Sequence, residues 1–214
     1  ARSGPRQGPR LVREDPGPPS PFRMTTVSVV IETDGLDGPG PGTLTDCLDA
    51  VARQTYPAEL IEVMVVDGGK VQGLASIVRT RFPAAVILPS AGASRFEQKN
   101  IGMRAARGDI IALFDSDGVA APDWIALIVG TLALAPAQVA GVQGVTVLTG
   151  GPLSRELSAF FYGTRAARDG SHCARLLTGN CALRRDIAQR FAFDHAGFST
   201  GADSLLLRRL MRDG

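Results

Sequence analysis

The chain has 214 residues, 44% of them hydrophobic and 21% charged, which suits one domain of ordinary size with one sizeable core. Its formal net charge of +2 is too small to mark a nucleic-acid binder, and the positive charge is almost all arginine, Lys70 and Lys99 being the only lysines. Cys47, Cys173 and Cys181 contain no Cys-x-x-Cys pair and fit a reducing, cytoplasmic setting without a disulfide framework, while His172 and His195 are too few and too far apart for a His-based zinc site.

Residues 1–24 are rich in Pro, Gly and Arg, carry no hydrophobic period and read as a flexible tail. Order begins at the β-branched run Val27–Ile31, a buried strand. A Gly/Pro loop from Gly35 to Gly42 follows. Thr43 then caps a helix whose apolar face is Leu44, Leu48 and Val51, and Pro57 stops it. Ile61–Val66 is a second strand ending at Asp67-Gly68-Gly69. The pattern then predicts a helix near Val71–Arg81, a strand at Ala85–Leu88, a helix over Phe96–Arg107 closed by Gly108, and a strand Asp109–Phe114 running into Asp115. Pro122 sits where a first helical turn tolerates proline and opens a helix to about Ala135. Val139–Leu148 reads as a further strand. The apolar stretch Trp124–Val142 is interrupted by Pro136, and a buried helix followed by a strand explains it better than a membrane span, which needs ~20 apolar residues.

Strand and helix thus alternate through the first 150 residues, which predicts an α/β fold with a mostly parallel sheet flanked by helices. Ligands in such sheets bind beyond the carboxyl ends of the strands. Asp34, Asp67 and Asp115 all fall just past such ends. One aspartate there is an ordinary turn residue; three on one edge point to a site. Beyond Gly150 the alternation fails. Leu153–Tyr162, Arg184–Phe191 and Ala202–Met211 read as helices, and Leu176–Asn180 as a turn-bearing segment. These residues, 151–214, suit the acceptor side of a site built on the sheet edge of residues 25–150.

Asp115-Ser116-Asp117 is the strongest chemical signal. Two carboxylates one residue apart, after the buried run Ile110–Phe114, can hold a hard divalent cation such as Mg²⁺ or Mn²⁺ and neutralise a leaving diphosphate. Together with Val65-Val66-Asp67-Gly68, Gln98-Lys99-Asn100-Ile101-Gly102, Pro122-Asp123-Trp124, Thr178-Gly179-Asn180 followed by Arg184-Arg185, and Gly201-Ala202-Asp203, this run resembles the family 2 glycosyltransferases of the GT-A fold, from about Val27 onward. The order and spacing of the motifs carry the resemblance; no single one decides it.

The resemblance implies an inverting transfer of a sugar from a nucleoside diphosphate sugar to an acceptor hydroxyl on a saccharide, a lipid-linked group or a small molecule, with no nucleic-acid partner. It puts Glu32, Asp34, Asp67, Lys99, Asn100, Asp115 and Ser116 on the donor side, Asp117 on the metal and Asp203 at the acceptor as catalytic base. Each has a plainer reading: a solvated turn for the strand-end acids, a surface charge for Lys99, a helix-side contact for Asn100, a dipole partner for Asp203. Trp124 suits a core anchor better than a sugar platform. Arg184 and Arg185 either meet diphosphate or form an exposed basic turn. Phe160, Phe161 and Tyr162, beside Arg155 and Arg165, suit packing under the sheet or a peripheral membrane contact.

The chain departs from the family pattern at three places. Glu32 stands where Pro is frequent, Gly68 where a second acid is frequent, and Ala202 where Glu is usual. The family's chains usually continue past the position of Gly214, so further acceptor-site residues or membrane helices are expected there or on another chain. The departures keep open a catalytically degenerate relative that binds or scaffolds. A nucleotidyltransferase would need a basic phosphate loop after the first strand, and Gly35–Gly42 contains no Lys or Arg.

Overall fold

The computed structural model describes residues 24–33, 44–148, 154, 176–194 and 201–213. The elements, in chain order, are β1 (Val27–Glu32), α1 (Leu44–Ala52), β2 (Ile61–Asp67), α2 (Leu74–Arg81), β3 (Val86–Pro89), α3 (Arg95–Ala105), β4 (Ile110–Asp115), α4 (Trp124–Leu134), β5 (Gly141–Gln143), β6 (Asn180–Arg184), α5 (Arg185–Arg190) and α6 (Ala202–Asp213). The strands form one sheet in the order β3-β2-β1-β4-β6-β5. β3, β2, β1 and β4 run parallel; β6 is antiparallel to both β4 and β5.

The helices divide between the two faces, and strand alternation assigns the side chains. Val27, Val29 and Ile31 of β1, with Ile110, Ala112 and Phe114 of β4, enter one core with α1, α2 and α4. Val30, Ile111 and Leu113 enter the other, with Phe96 and Met103 of α3 and Leu206 of α6. A period of two therefore carries Glu32 and Asp115 to the α3 face. α3 lies unusually close to β1, because a Cβ on Gly102 would overlap Val30. That approach decides where Lys99, one turn earlier, ends up.

Most of the expected elements form. The segment after residue 140 differs. Only Gly141–Gln143 of the expected Val139–Leu148 strand pairs, and Asn180–Arg184, split by the sequence reading between a turn and a helix, is a strand inside the sheet. Cys181, Ala182 and Leu183 are buried from both faces, which leaves no polar alternation to announce it. The apolar Trp124–Val142 stretch is α4 on the first core followed by β5. No helix among the described residues is long and apolar enough to cross a membrane. The helix expected at Leu153–Tyr162 and the aromatic cluster Phe160–Tyr162 lie outside the described residues.

Candidate functional site

Strand order reverses between β1 and β4, since the chain moves outward from β1 through β2 to β3 and then crosses back to β4 on the other side. Sheets of this kind open a crevice at that point, beyond the carboxyl ends of the strands. Glu32 and Asp115 are register partners there. Lys99 reaches them from α3: its Nζ donates to Asp115 Oδ1 at 2.7 Å and to Glu32 Oε1 at 3.3 Å. The lysine side chain is 1% exposed and the Glu32 side chain 7%, whereas that of Asp115 is 42% exposed. Burial alone would lower the lysine pKa, but Asp115 and then Glu32 outweigh it, so the ammonium titrates above the ordinary lysine value. Lys99 is therefore a buried cation holding two carboxylates at the carboxyl ends of β1 and β4, not the surface charge that was its plainer reading.

The turn after β4 carries buried Ser116 and exposed Asp117. Loss of water, then the charge of Asp115, hold the Asp117 carboxyl above the ordinary aspartate value; a backbone hydrogen bond and Lys99 oppose this. The Cys47 thiol of α1, which lies 3.9 Å from the Asp115 carbonyl oxygen, is pushed far up by burial and then by Asp117 and Asp115. A concentration of negative charge is thus built into this turn. Two oxygen-bearing carboxylates whose repulsion raises one of them suit a hard divalent cation. Among the described residues no group of three His, Cys, Asp or Glu side chains gathers, so a cation here would complete its shell with water and ligand oxygens.

Asp67 ends β2, and its Oδ1 accepts from the Gly69 N–H at 2.8 Å, shaping the turn beyond the strand. The space a side chain on Gly68 would need is filled by Gln98, whose amide nitrogen lies 2.5 Å from the position of such a Cβ. Gln98 donates to the Ala93 carbonyl and accepts from the Thr33 N–H, both at 3.0 Å. The Thr33 hydroxyl in turn donates to the Val66 carbonyl and accepts from the Gly68 N–H. Thr33 escaped the sequence reading, and Gln98 entered it only as part of a motif, without a role; the two tie the ends of β1 and β2 together. Three adjacent polar residues, Gln98 to Asn100, on a helix that must pack against a buried sheet were the available signal.

The remaining candidates make other contacts. Asn100 is buried and clamps the 191–194 segment: its Oδ1 accepts from Phe193 N–H at 2.8 Å and its Nδ2 donates to the Phe193 carbonyl at 3.0 Å. Asp203, in the first turn of α6, accepts from the Ser204 N–H at 2.7 Å. Ala202 beside it is fully buried in the α3-face core, where a carboxylate would lie among apolar side chains. Of the two readings of Arg184 and Arg185, their place in the sheet favours the basic turn. Arg184 pairs with Ile110, at the amino end of β4, so both arginines stand at the opposite end of the sheet from Asp115. There Arg184 donates to the Leu132 and Val139 carbonyls and Arg185 to that of Arg107. Trp124 is a core anchor, 4.7 Å from the Phe114 ring, with its indole N–H donating to Asn180 Oδ1. Asp34 and His195 lie outside the described residues.

The same arrangement of sheet and helices occurs in solved glycosyltransferases. The mannosyltransferase PcManGT from Pyrobaculum calidifontis, in complex with GDP-Man and Mn²⁺, matches with a TM-score of 0.60 at 23% identity, over 87% of this chain and 51% of its own. Glucosyl-3-phosphoglycerate synthase from Mycobacterium tuberculosis, in complex with UDP, matches with a TM-score of 0.58 at 18% identity, over 89% of this chain and 67% of its own. These likenesses establish the GT-A fold. In sequence, the chain is 29% identical over 117 residues to the glycosyltransferase AglE of Haloferax volcanii, 52% of this chain and 36% of that one. It is 28% identical over 118 residues to an N-acetylglucosaminyltransferase of Bradyrhizobium, 53% of this chain and 74% of that one. The chain thus spans about a third of the archaeal relative and about half of the mannosyltransferase. Residues 40–192, most of the length, match the family described as glycosyl transferase family 2, and the chain belongs to that family.

Proposed function

We propose that this chain moves a sugar, with inversion, from a nucleoside diphosphate sugar to an acceptor hydroxyl, using Mg²⁺ or Mn²⁺. One observation carries the reading: in a family 2 chain, Asp115 is fixed at the strand-order reversal by a buried lysine, with Asp117 two residues further on. When bound, the cation supplies positive charge against the diphosphate that leaves the anomeric carbon.

The chain's own residues do the rest. Asp115 and Asp117 offer carboxylate oxygens at the mouth of the crevice, and Lys99 with Glu32 holds Asp115 in place. Asp67, Ser116 and Asp34 are assigned to the nucleoside side of the donor. Asn100 supports the neighbouring segment rather than meeting the donor, since its amide is taken up by Phe193. Asp203 takes the proton from the acceptor hydroxyl as that oxygen attacks, which requires it to stand opposite the leaving diphosphate. In this division residues 25–150 hold the donor and 151–214 face the acceptor, which is a saccharide, a lipid-linked group or a small molecule. The buried cysteines Cys47 and Cys181 fit a cytoplasmic setting, with the acceptor side at the inner membrane face.

Calorimetry with UDP, GDP and their sugar conjugates, with and without Mn²⁺, tests the donor claim. Metal-dependent binding that falls on Asp117→Asn supports it; no binding of any nucleoside diphosphate overturns it. Asp203→Asn should abolish transfer while leaving donor binding intact, and retained transfer would remove Asp203 as the base.

A further inference from the structure

Lys99 grips one oxygen of Asp115, and the other is accommodated by a residue outside the acid cluster. β6 runs antiparallel to β4 with Asn180 opposite Phe114, and one step beyond, the Asp115 N–H donates to the Gly179 carbonyl at 3.1 Å. Cross-strand neighbours share a face of the sheet, so a side chain at 179 would stand directly beside that of Asp115. Instead the Asp115 carboxylate lies across the bare Cα: a Cβ on Gly179 would overlap Asp115 Oδ2. Gly179 is not among the positive-φ glycines of the described residues, which are Gly69, Gly73, Gly92 and Gly201, so its backbone is open to other residues and room is what it supplies. Nor can β6 easily retreat. Asn180, next in the chain, accepts from Trp124 and donates to the Val145 carbonyl, and Cys181 and Ala182 are buried.

We infer that Gly179 is a positioning residue for the donor site: its missing side chain is the gap that lets Asp115 lie against Lys99 and toward the crevice. A methyl group at 179 forces the carboxylate off Lys99. The claim about donor binding rests on the function proposed above; the steric claim does not.

A double-mutant cycle over Gly179→Ala and Asp115→Ala tests both, read by urea unfolding and by calorimetry of UDP and GDP in the presence of Mn²⁺. In the wild-type background Gly179→Ala should lower stability and weaken metal-dependent nucleotide binding ~10–100-fold, the range for losing a support of a metal-binding group. In the Asp115→Ala background it should change stability little, because the collision is gone, and should not weaken residual binding further. Equal stability losses in both backgrounds, or a Gly179→Ala variant that behaves as wild type, would overturn the inference. If the wild-type protein binds neither nucleotide, the functional proposal falls, and the unfolding cycle still decides whether residue 179 sets the place of Asp115.

Discussion

Replacing Lys99 by methionine is the most direct probe of the buried charge cluster. Methionine keeps the length and apolar stem of lysine and removes the ammonium. The Lys99–Asp115 pair contributes the smaller part of the expected loss, because the Asp115 side chain is 42% exposed and water can take over much of its solvation. The Lys99–Glu32 pair is different: the two side chains are 1% and 7% exposed. Removing one partner of such a pair costs about 3–5 kcal/mol, because a carboxylate is left in a poorly hydrated place. Methionine packing offsets part of this, so about 3 kcal/mol is expected. For a domain of this size that lowers Tm by roughly 6–12 °C. Adding Glu32→Gln to Lys99→Met should recover about half of the loss, since the amide carries no charge to strand. Urea unfolding of the wild type, the two single variants and the double variant measures all of this. A loss below about 1 kcal/mol for Lys99→Met, or no recovery in the double variant, would refute the assignment of Lys99 as the ion that holds the crevice together.

Gly102→Ala should cost about 1–3 kcal/mol, because the new methyl meets Val30 and lifts α3 from β1. Calorimetry with Mn²⁺ and UDP or GDP should show weaker binding as well, since Lys99 rides on the same helix. Glu62 accepts from the Ser28 hydroxyl at 2.6 Å and from Arg107, and although burial pulls its pKa upward, these partners outweigh it and hold it below the ordinary glutamate value. A depressed folded pKa gives stability that is full above the unfolded value and is lost as pH falls through the folded one. Glu62→Gln should therefore cost about 1 kcal/mol at neutral pH, and the gap to wild type should close on acidification below the ordinary glutamate range; a gap that persists would refute it. Ala202→Glu, which restores the residue usual in the family, should destabilise by about 3 kcal/mol or more by placing a charge in the α3-face core, and unchanged urea unfolding would show that the position has room after all.

How much of this was readable beforehand follows from the range of the interactions involved. β1, β2 and β4 are runs of β-branched and apolar residues buried on both faces, so they declare themselves locally, and Asp67 and Asp115 follow from where those runs stop. β6 did not declare itself, because Cys181-Ala182-Leu183 is too short and too mixed to mark a strand until β4 and β5 flank it. The role of Lys99 was hidden for a related reason. A lysine in a polar stretch of helix looks solvated, and only the contact between Gly102 and Val30 brings α3 near enough to the sheet to bury it.

The departures at Gly68 and Ala202 become intelligible only in three dimensions. Each had suggested a weakened active site. Around Gly68 the missing side chain is replaced by the Gln98 amide, bonded on both sides, and Ala202 is a close-packed core residue. Both positions are filled by well-satisfied packing rather than left as damaged remnants, and the proposed cation binding would depend on neither. It depends on whether Asp115 stays where Lys99 and Gly179 put it. A relative that had given up the donor would have no need to keep a buried ammonium at the point where the strand order reverses, since replacing such an ion by apolar side chains is often neutral or stabilising. That cost is borne here, and it is a physical reason to look for donor binding at this point.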